Sequence, residues 1–466
     1  MLQKSIHTIA IFVFYFVPLS LQAQQIPKAW TSGQVQEILK KRVETNKQAV
    51  GIVVGLVNAR GSQVAGYGSL RKSEPSNKLD QNTVFEIGSA SKVFTSLLLA
   101  DMVNRGEVAL EDPASKFLPK TVTLPTRGGR EITLLDLATH TSALPRLPSN
   151  LMPADAENPY ADYSVERLYD FLSKCTLTRD IGSAYEYSNL GTGLLGHILA
   201  LRAGSDYETL LATRISKPLG MGSTSIAFSP DMLKRLANGH NETLTEVKNW
   251  DIPTLAGAGA IRSSLSDMLL FLEANMGKTK SPLTEAMALQ QEKQRPAGSP
   301  SMSIALGWHI LAKNNEEVVW HNGQTGGYHS FIGFDKKRGV GVVVLANTAA
   351  DIDDIGFHLI DTRNPLKTLA QKNDRVAIAV DSKILDGYVG DYVLAPTFVI
   401  SITKEKDKLM LQATAQPKFE IFAESEVKFF LKEVDAQVSF VKDNKGAVTQ
   451  LILHQNGANQ PAKKRK

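Results

Sequence analysis

Strand-like runs stand at both ends of a long segment whose middle is helical, and no other feature restricts the fold as tightly. Val50 to Val57 is apolar and β-branched, and Ser62 to Tyr67 follows it after the turn residues Asn58 to Gly61. Strands return at Val318 to Trp320, Ser330 to Phe334 and Val340 to Leu345, divided by Gly-containing turns that suit adjacent antiparallel strands. Between the two groups, roughly residues 89–290 are helix-rich with many loops. Strands from both ends enclosing a helical middle predict one sheet, closed by both termini of the segment and flanked by helices. The resulting α/β (α+β) unit spans residues 24–365. Ahead of its first strand, Ser32 to Ala49 read as a polar amphipathic helix, with Val35, Ile38, Leu39 and Val43 at helical spacing.

The texture changes at Asp386. Seven short runs follow, from Gly387–Val393 through Phe398–Thr403, Leu409–Ala413, Phe419–Phe422, Val427–Leu431 and Val438–Val441 to Val448–Leu453. Turn signals such as Asp443-Asn444-Lys445-Gly446 divide them, and no helical pattern intervenes, which predicts a small antiparallel β-barrel or sandwich over residues 386–466. The polar stretch before it makes 366–385 a linker. At about 150 residues per domain, a chain of 466 accommodates this division.

The N-terminus reads as a targeting segment. Lys4 precedes an apolar stretch from Thr8 to Leu21, interrupted by Pro18, and Ala23 offers a small residue for cleavage. The stretch is shorter than the roughly 20 apolar residues of a spanning helix, although an uncleaved anchor is the alternative. Residues 1–23 are therefore expected to be a signal peptide, and the mature protein to be periplasmic or secreted with no stable membrane span. The net charge of +5 is small, and its last four residues, Lys463 to Lys466, are all basic, so nucleic acid is not an expected partner. That tail reads as a solvated, disordered end. One cysteine, Cys175, excludes a disulfide framework or a cysteine-rich metal site, and the nine histidines form no His-Glu-x-x-His. No cofactor and no metal are expected.

Three elements can carry chemistry. On a helix, Ser-x-x-Lys puts an amine within reach of a hydroxyl. Ser69/Lys72, Ser401/Lys404 and Ser425/Lys428 match as well, so the pattern alone decides nothing. Context selects Ser89 and Lys92, which follow the strand-like Val84 to Gly88 and open a helical run ending at Gly106. At a helix mouth a serine gains the positive end of the dipole, and its N–H can help hold an oxyanion. Second is Tyr187-Ser188-Asn189, in a loop entering the apolar run Leu190 to Leu201. A tyrosine with its pKa depressed by an ammonium can act as a base and an Asn can hold an amide, while a buried tyrosine with an Asn helix cap fits the same residues. Third is His321-Asn322-Gly323-Gln324-Thr325-Gly326-Gly327-Tyr328 after a strand, where glycines permit close approach and an exposed edge could pair with a peptide. A Gly-rich hairpin turn is the alternative.

In this order and context, the three elements resemble the serine β-lactamase and penicillin-binding-protein superfamily, in its class C-like branch, over roughly residues 30–350. The resemblance extends to Ile132-Thr133-Leu134-Leu135-Asp136-Leu137-Ala138-Thr139-His140-Thr141-Ser142, to Pro218-Leu219-Gly220-Met221, and to Ala256-Gly257-Ala258-Gly259-Ala260-Ile261-Arg262-Ser263. His140 in the first of these reads as structural. The C-terminal strands, with Gly387-Tyr388-Val389-Gly390-Asp391-Tyr392, resemble the lipocalin-like domain that follows such catalytic domains. The resemblance implies a β-lactamase/transpeptidase-like fold with Ser89 as acylated nucleophile and Lys92 and Tyr187 sharing its proton. It further implies Asn189 on the substrate amide, an oxyanion hole of the Ser89 and Gln324 N–H groups, and substrate contacts from His321, Asn322 and Gly323.

One departure stands out. The third motif is commonly Lys-Thr-Gly in this superfamily and here is His321-Asn322-Gly323. A histidine, unperturbed near about 6.5, is charged only part of the time, so a carboxylate-bearing substrate is expected to bind better as pH falls through its titration. The expected activity is that of an exported serine hydrolase acting on β-lactams or D-amino-acid peptides. Small acyl esters, or non-catalytic binding of cell-wall peptides, are the alternatives. The chain has no Gly-x-Ser-x-Gly elbow of the α/β-hydrolase type.

Overall fold

The computed structural model describes residues 30–465 apart from 314–315, 370–376, 396–397, 415, 433, 435 and 456–457. The expected signal peptide, 1–23, lies outside the described residues, as does part of the expected linker.

Eleven strands precede the last part of the chain among the described residues: β1 Gly51–Asn58, β2 Gly61–Arg71, β3 Glu74–Lys78, β4 Val84–Glu86, β5 Arg262–Ser264, β6 Arg295–Ala297, β7 Ser299–Ile304, β8 His309–Lys313, β9 Glu316–Gln324, β10 His329–Asp335 and β11 Val340–Ala346. Nine make one antiparallel sheet in the order β3-β2-β1-β11-β10-β9-β8-β7-β6. The two ends of the segment meet inside it, where β1 pairs with β11 as the third and fourth strands and Val53 faces Leu345. The sheet closed by both termini, with helices packed on it, is thus present. β4 and β5 form a separate two-stranded ribbon.

The central strands are apolar throughout because both faces are covered. Val53 and Val57 of β1 join the large helical core. On the other face Ile52, Val54 and Leu56 pack with Val35 and Leu39 of the helix Ser32–Lys40 and with Ile355 and Leu359 of the helix Asp353–Ile360. The regular N-terminal helix is shorter than its periodicity suggests. It starts at a Thr31–Gln34 capping box, ends at Lys40, and widens into a single looser turn over Lys41–Thr45.

The helix Ser91–Asn104 has no polar face over most of its length, since every residue from Ser91 to Met102 is buried. It passes through the middle of the helical core, where Phe94 stacks on Phe271 at 4.0 Å between ring centroids. A helix hydrophobic all round is what such a position requires. It ends at Gly106, whose φ of +68° is the left-handed conformation that stops a helix.

The C-terminal strands close into an antiparallel barrel of eight, from Gly390–Ala395 to Ala458–Lys464. Its core holds Tyr392, Ile400, Ile402, Leu411, Phe440 and Leu451. The Asp443 to Gly446 turn forms as expected, with the Asp443 N–H donating to Ala447 O and Gly446 at φ +82°. The basic tail is a correction. Lys463 and Lys464 are not a disordered end but the last strand, paired to Val393 and Tyr392 on one side, with Lys463 also paired to Gln450 of the strand Val448–Gln455 on the other, while Lys466 lies outside the described residues. Backbone pairing on both sides and burial of Ala462 hold this strand, so its polar side chains concealed it. No helix of the described residues is long and apolar enough to cross a membrane.

Candidate active site

The ribbon strand β4 delivers the chain to a tight turn at Ile87 and Gly88. Gly88 has φ +51°, and a Cβ there would stand 2.7 Å from the backbone N of Gln324. Glycine is required for both reasons, and the close approach brings the end of β9 against the next residue, Ser89. Ser89 lies in a single 3₁₀ turn that runs into the helix Ser91–Asn104. It is half-buried at the positive end of that helix.

One turn on, Lys92 is completely buried. Its Nζ is 3.0 Å from Ser89 Oγ, 2.8 Å from Asn189 Oδ1 and 2.7 Å from Ala258 O. It also lies 4.8 Å from the centre of the Tyr187 ring. The structure therefore gathers Ser89, Lys92, Tyr187 and Asn189 around one amine.

Local sequence explains how Asn189 reaches it. The helix Asn189–Ala203 is capped by Ser188, whose Oγ accepts from the Gly191 N–H at 2.9 Å. Because Ser188 is the cap, the Asn189 amide is available to Lys92. His140, at φ +57°, accepts the Ser188 N–H on Nδ1 at 3.1 Å and packs its ring against Tyr187 at 4.6 Å. It shapes the loop from below the phenol.

Burial sets the protonation states. Desolvation pulls the Lys92 amine well below the ordinary lysine range, and the nearby Arg146 cation pushes in the same direction. Desolvation raises the Tyr187 phenol, with the Ser89 hydroxyl acting the other way. The expectation of a phenol depressed by a neighbouring ammonium is corrected here: the lysine yields its proton before the tyrosine does. The Lys92 N–H groups donate to Asn189 Oδ1, Ala258 O and Ser89 Oγ, so loss of one proton would leave a lone pair directed at the Ser89 hydroxyl.

The third motif is divided by the two-residue period of β9. His321 and Gly323 face the helical core, and a Cβ on Gly323 would stand 2.9 Å from the Ala90 N. Asn322 and Gln324 turn the other way. The Asn322 amide donates to Asp353, which also binds His329 Nε2 at 2.9 Å, and the Gln324 amide donates to Ala349 O at 2.9 Å. Neither side chain converges on Ser89, which leaves only their backbone near it. From His321 to Gln324 the strand pairs with β10 alone, because the β8 ladder stops at Trp320. The expected titration of His321 is also corrected. The ring is fully buried, with Nδ1 on the Asn322 carbonyl and Nε2 without a hydrogen-bond partner. Desolvation, reinforced by His309 and Lys92, holds it well below the usual imidazole range and therefore neutral near pH 7.

Two participants escaped the sequence reading. Ala258 supplies a carbonyl to Lys92 from within the Ala256 to Ser263 segment, where only the backbone matters and no side-chain signal exists. Arg146 lies four residues beyond the Ile132 to Ser142 segment, with its guanidinium 5.0 Å over the Tyr187 ring. A positive residue just past that segment was its only sign.

Fold and site together define a serine hydrolase. The Beta-lactamase family profile matches residues 35–360, and a domain of unknown function (DUF3471) matches residues 374–464. The chain belongs to the Beta-lactamase family. It is 28% identical over 319 residues to the D-alanyl-D-alanine-carboxypeptidase/endopeptidase AmpH of Escherichia coli K12, covering 64% of this chain and 79% of the relative. It is 25% identical over 429 residues to penicillin-binding protein 4* of Bacillus subtilis 168, covering 85% of this chain and 90% of that one. Among solved structures, the class C β-lactamase from Rhodobacter sphaeroides superposes with a TM-score of 0.61 at 24% identity, over 71% of this chain and 98% of that chain. A β-lactamase/D-alanine carboxypeptidase from Yersinia pestis gives 0.62 at 23%, over 72% and 98%.

Proposed function

We propose that the protein is an exported serine hydrolase that forms an acyl-enzyme on Ser89 with β-lactams or D-amino-acid peptides. The observation that carries this reading is the Lys92 amine, completely buried and 3.0 Å from Ser89 Oγ. As Oγ attacks the acyl carbon, the Ser89 proton passes to the Lys92 lone pair. The N–H groups of Ser89 and Gln324 take the developing oxyanion. Tyr187, neutral through burial, gives its proton to the leaving nitrogen or oxygen and recovers one from Lys92. Water then enters along the reverse proton route and releases the acid. Asn189 holds Lys92 and offers its N–H₂ to the substrate amide, while His321 and Gly323 shape the floor beside Ser89.

The relatives favour D-alanyl peptides and β-lactams as substrate classes, since AmpH is named a D-alanyl-D-alanine carboxypeptidase/endopeptidase and the Bacillus relative is named for binding penicillin. In the same reading residues 1–23 direct export, 24–365 form the catalytic domain, 366–385 the linker and 386–466 an accessory barrel. A second reading, hydrolysis of small acyl esters, is favoured by the neutral His321 at the place of the superfamily's lysine cation.

Intact mass of the purified protein over time after mixing with a penicillin tests both. A gain of one drug molecule on Ser89 is expected, absent in Ser89→Ala. Loss of the adduct with consumption of drug identifies a β-lactamase, and a lasting adduct a penicillin-binding peptidase. No adduct, with ester turnover that depends on Ser89, selects the esterase. Drug or peptide binding without turnover, unchanged in Ser89→Ala, identifies a non-catalytic binder.

A further inference from the structure

Arg146 is a cation without an anion. Its side chain is exposed, and among the described residues it makes no ion pair or side-chain hydrogen bond. Arg130, Arg167, Arg179 and Arg295 each reach a carboxylate, whereas Arg60, exposed in the turn between β1 and β2, shares with Arg146 the lack of one among the described residues. The backbone of Arg146 is nonetheless firmly placed. Its carbonyl accepts the N–H groups of Asn189 at 3.0 Å and Leu190 at 3.2 Å, so it is tied to the helix start that presents Asn189 to Lys92. Its guanidinium stands 5.0 Å over the Tyr187 ring, while the Lys92 amine approaches the same ring at 4.8 Å. Lys92, His140, Tyr160, Tyr185 and Tyr187 all feel its charge.

A cation at the catalytic site that stacks on Tyr187 but meets no carboxylate among the described residues is free to take an anion that arrives with the substrate. The position where the superfamily carries its lysine holds a buried imidazole with Nδ1 already bonded to the backbone, which presents no N–H to the site from that atom. We infer that Arg146 is the specificity determinant that anchors an anionic substituent of the substrate, a carboxylate, through its planar fork of N–H donors beside Tyr187. This inference rests on the acyl-enzyme reading above.

The test compares Ser89 acylation by benzylpenicillin with acylation by its methyl ester, which differs only in the lost carboxylate charge. The parent, Arg146→Gln and Arg146→Lys proteins are followed by intact mass, with circular dichroism confirming the fold of each. In Arg146→Gln the preference for the acid over the ester is expected to fall by about tenfold or more, the scale of one charge-assisted hydrogen-bonded contact. Arg146→Lys is expected to retain part of it, since it keeps the charge but loses the fork. Equal loss on both compounds, with the pH–rate profile moved upward, would reduce Arg146 to tuning Lys92 and overturn the anchor. An unchanged preference would overturn it outright. If the parent protein is acylated by neither compound, the acyl-enzyme reading for β-lactams falls and the anchor falls with it.

Discussion

The chain writes Ser-x-x-Lys in both of its regions, and the two outcomes are opposite. Ser89 and Lys92 sit across the 3₁₀ turn and first turn of a helix, where residues three apart share a face, and Oγ and Nζ meet at 3.0 Å. Ser401 and Lys404 lie on the barrel strand Phe398–Glu405, where residues three apart point to opposite faces. There the hydroxyl donates to Asp391 at 2.6 Å and the amine to Asp386 at 2.6 Å and Ser382 O at 2.9 Å. Lys404 is 17% exposed and has a carboxylate, while Lys92 is completely buried and has only neutral oxygens. Reactivity thus depends on an amine taken out of water without a counter-charge, which no four-residue motif encodes.

The largest expected effect breaks the comparison directly. Ser89→Ala or Lys92→Arg, the latter permanently charged, should cut the acylation rate by about 10³-fold or more. Ser401→Ala and Lys404→Met should leave it within about twofold, since their partners Asp391, Asp386 and Ser382 belong to the C-terminal region and not to the Ser89 site. Equal losses at the two sites in an acylation assay would end the distinction.

Next comes a pair of left-handed glycines, one in each region. Gly88→Ala combines a φ of +51° with a Cβ 2.7 Å from the Gln324 N, and should cost about 1–3 kcal/mol together with much of the acylation rate. Gly446→Ala, at φ +82° with open space around it, should cost about 1 kcal/mol and leave acylation intact. Thermal denaturation of the two variants measures the gap.

The Lys92 titration sharpens the contrast through pH. Its folded pKa lies well below the unfolded value of about 10.4, so between the two the unfolded chain binds more protons and stability rises with pH. Lys92→Met should flatten that rise in denaturant unfolding at several pH values. The same neutral amine is the active form, so the acylation rate should rise with pH at a midpoint well below the ordinary lysine range. The smallest effect is expected at His321. Held neutral by burial, it should leave the KM of a carboxylate substrate flat between about pH 5.5 and 8. A KM that falls steadily with acidification would restore a cationic role.

Much of the fold was legible because it rests on periodicity. β1 and β11 are continuous apolar runs bounded by turn residues, and seven of the eight barrel strands read as short runs divided by turn signals. The eighth, Ala458–Lys464, was not, because its stability comes from neighbours on both sides and only Ala462 enters the core. The short regular extent of the first helix was equally hidden, since Val43 continues the apolar spacing past Lys40 where the backbone loosens.

At the site, the residue types and order of Ser89, Lys92, Tyr187 and Asn189 were written in the chain, together with the local elements that carry them. Their convergence came from segments about 100 residues apart packing around the buried helix Ser91–Asn104. Only that packing decided that the Lys92 amine is pulled down and the Tyr187 phenol pushed up, and that Ser188 caps the helix in place of Asn189. It likewise turned Asn322 away toward Asp353, buried His321, and left Arg146 as an exposed cation over the phenol. The sequence by itself determined which groups can react, because that is covalent chemistry and short-range periodicity. The tertiary structure decided which charge states they hold, because desolvation is set by atoms that the chain brings together from far apart.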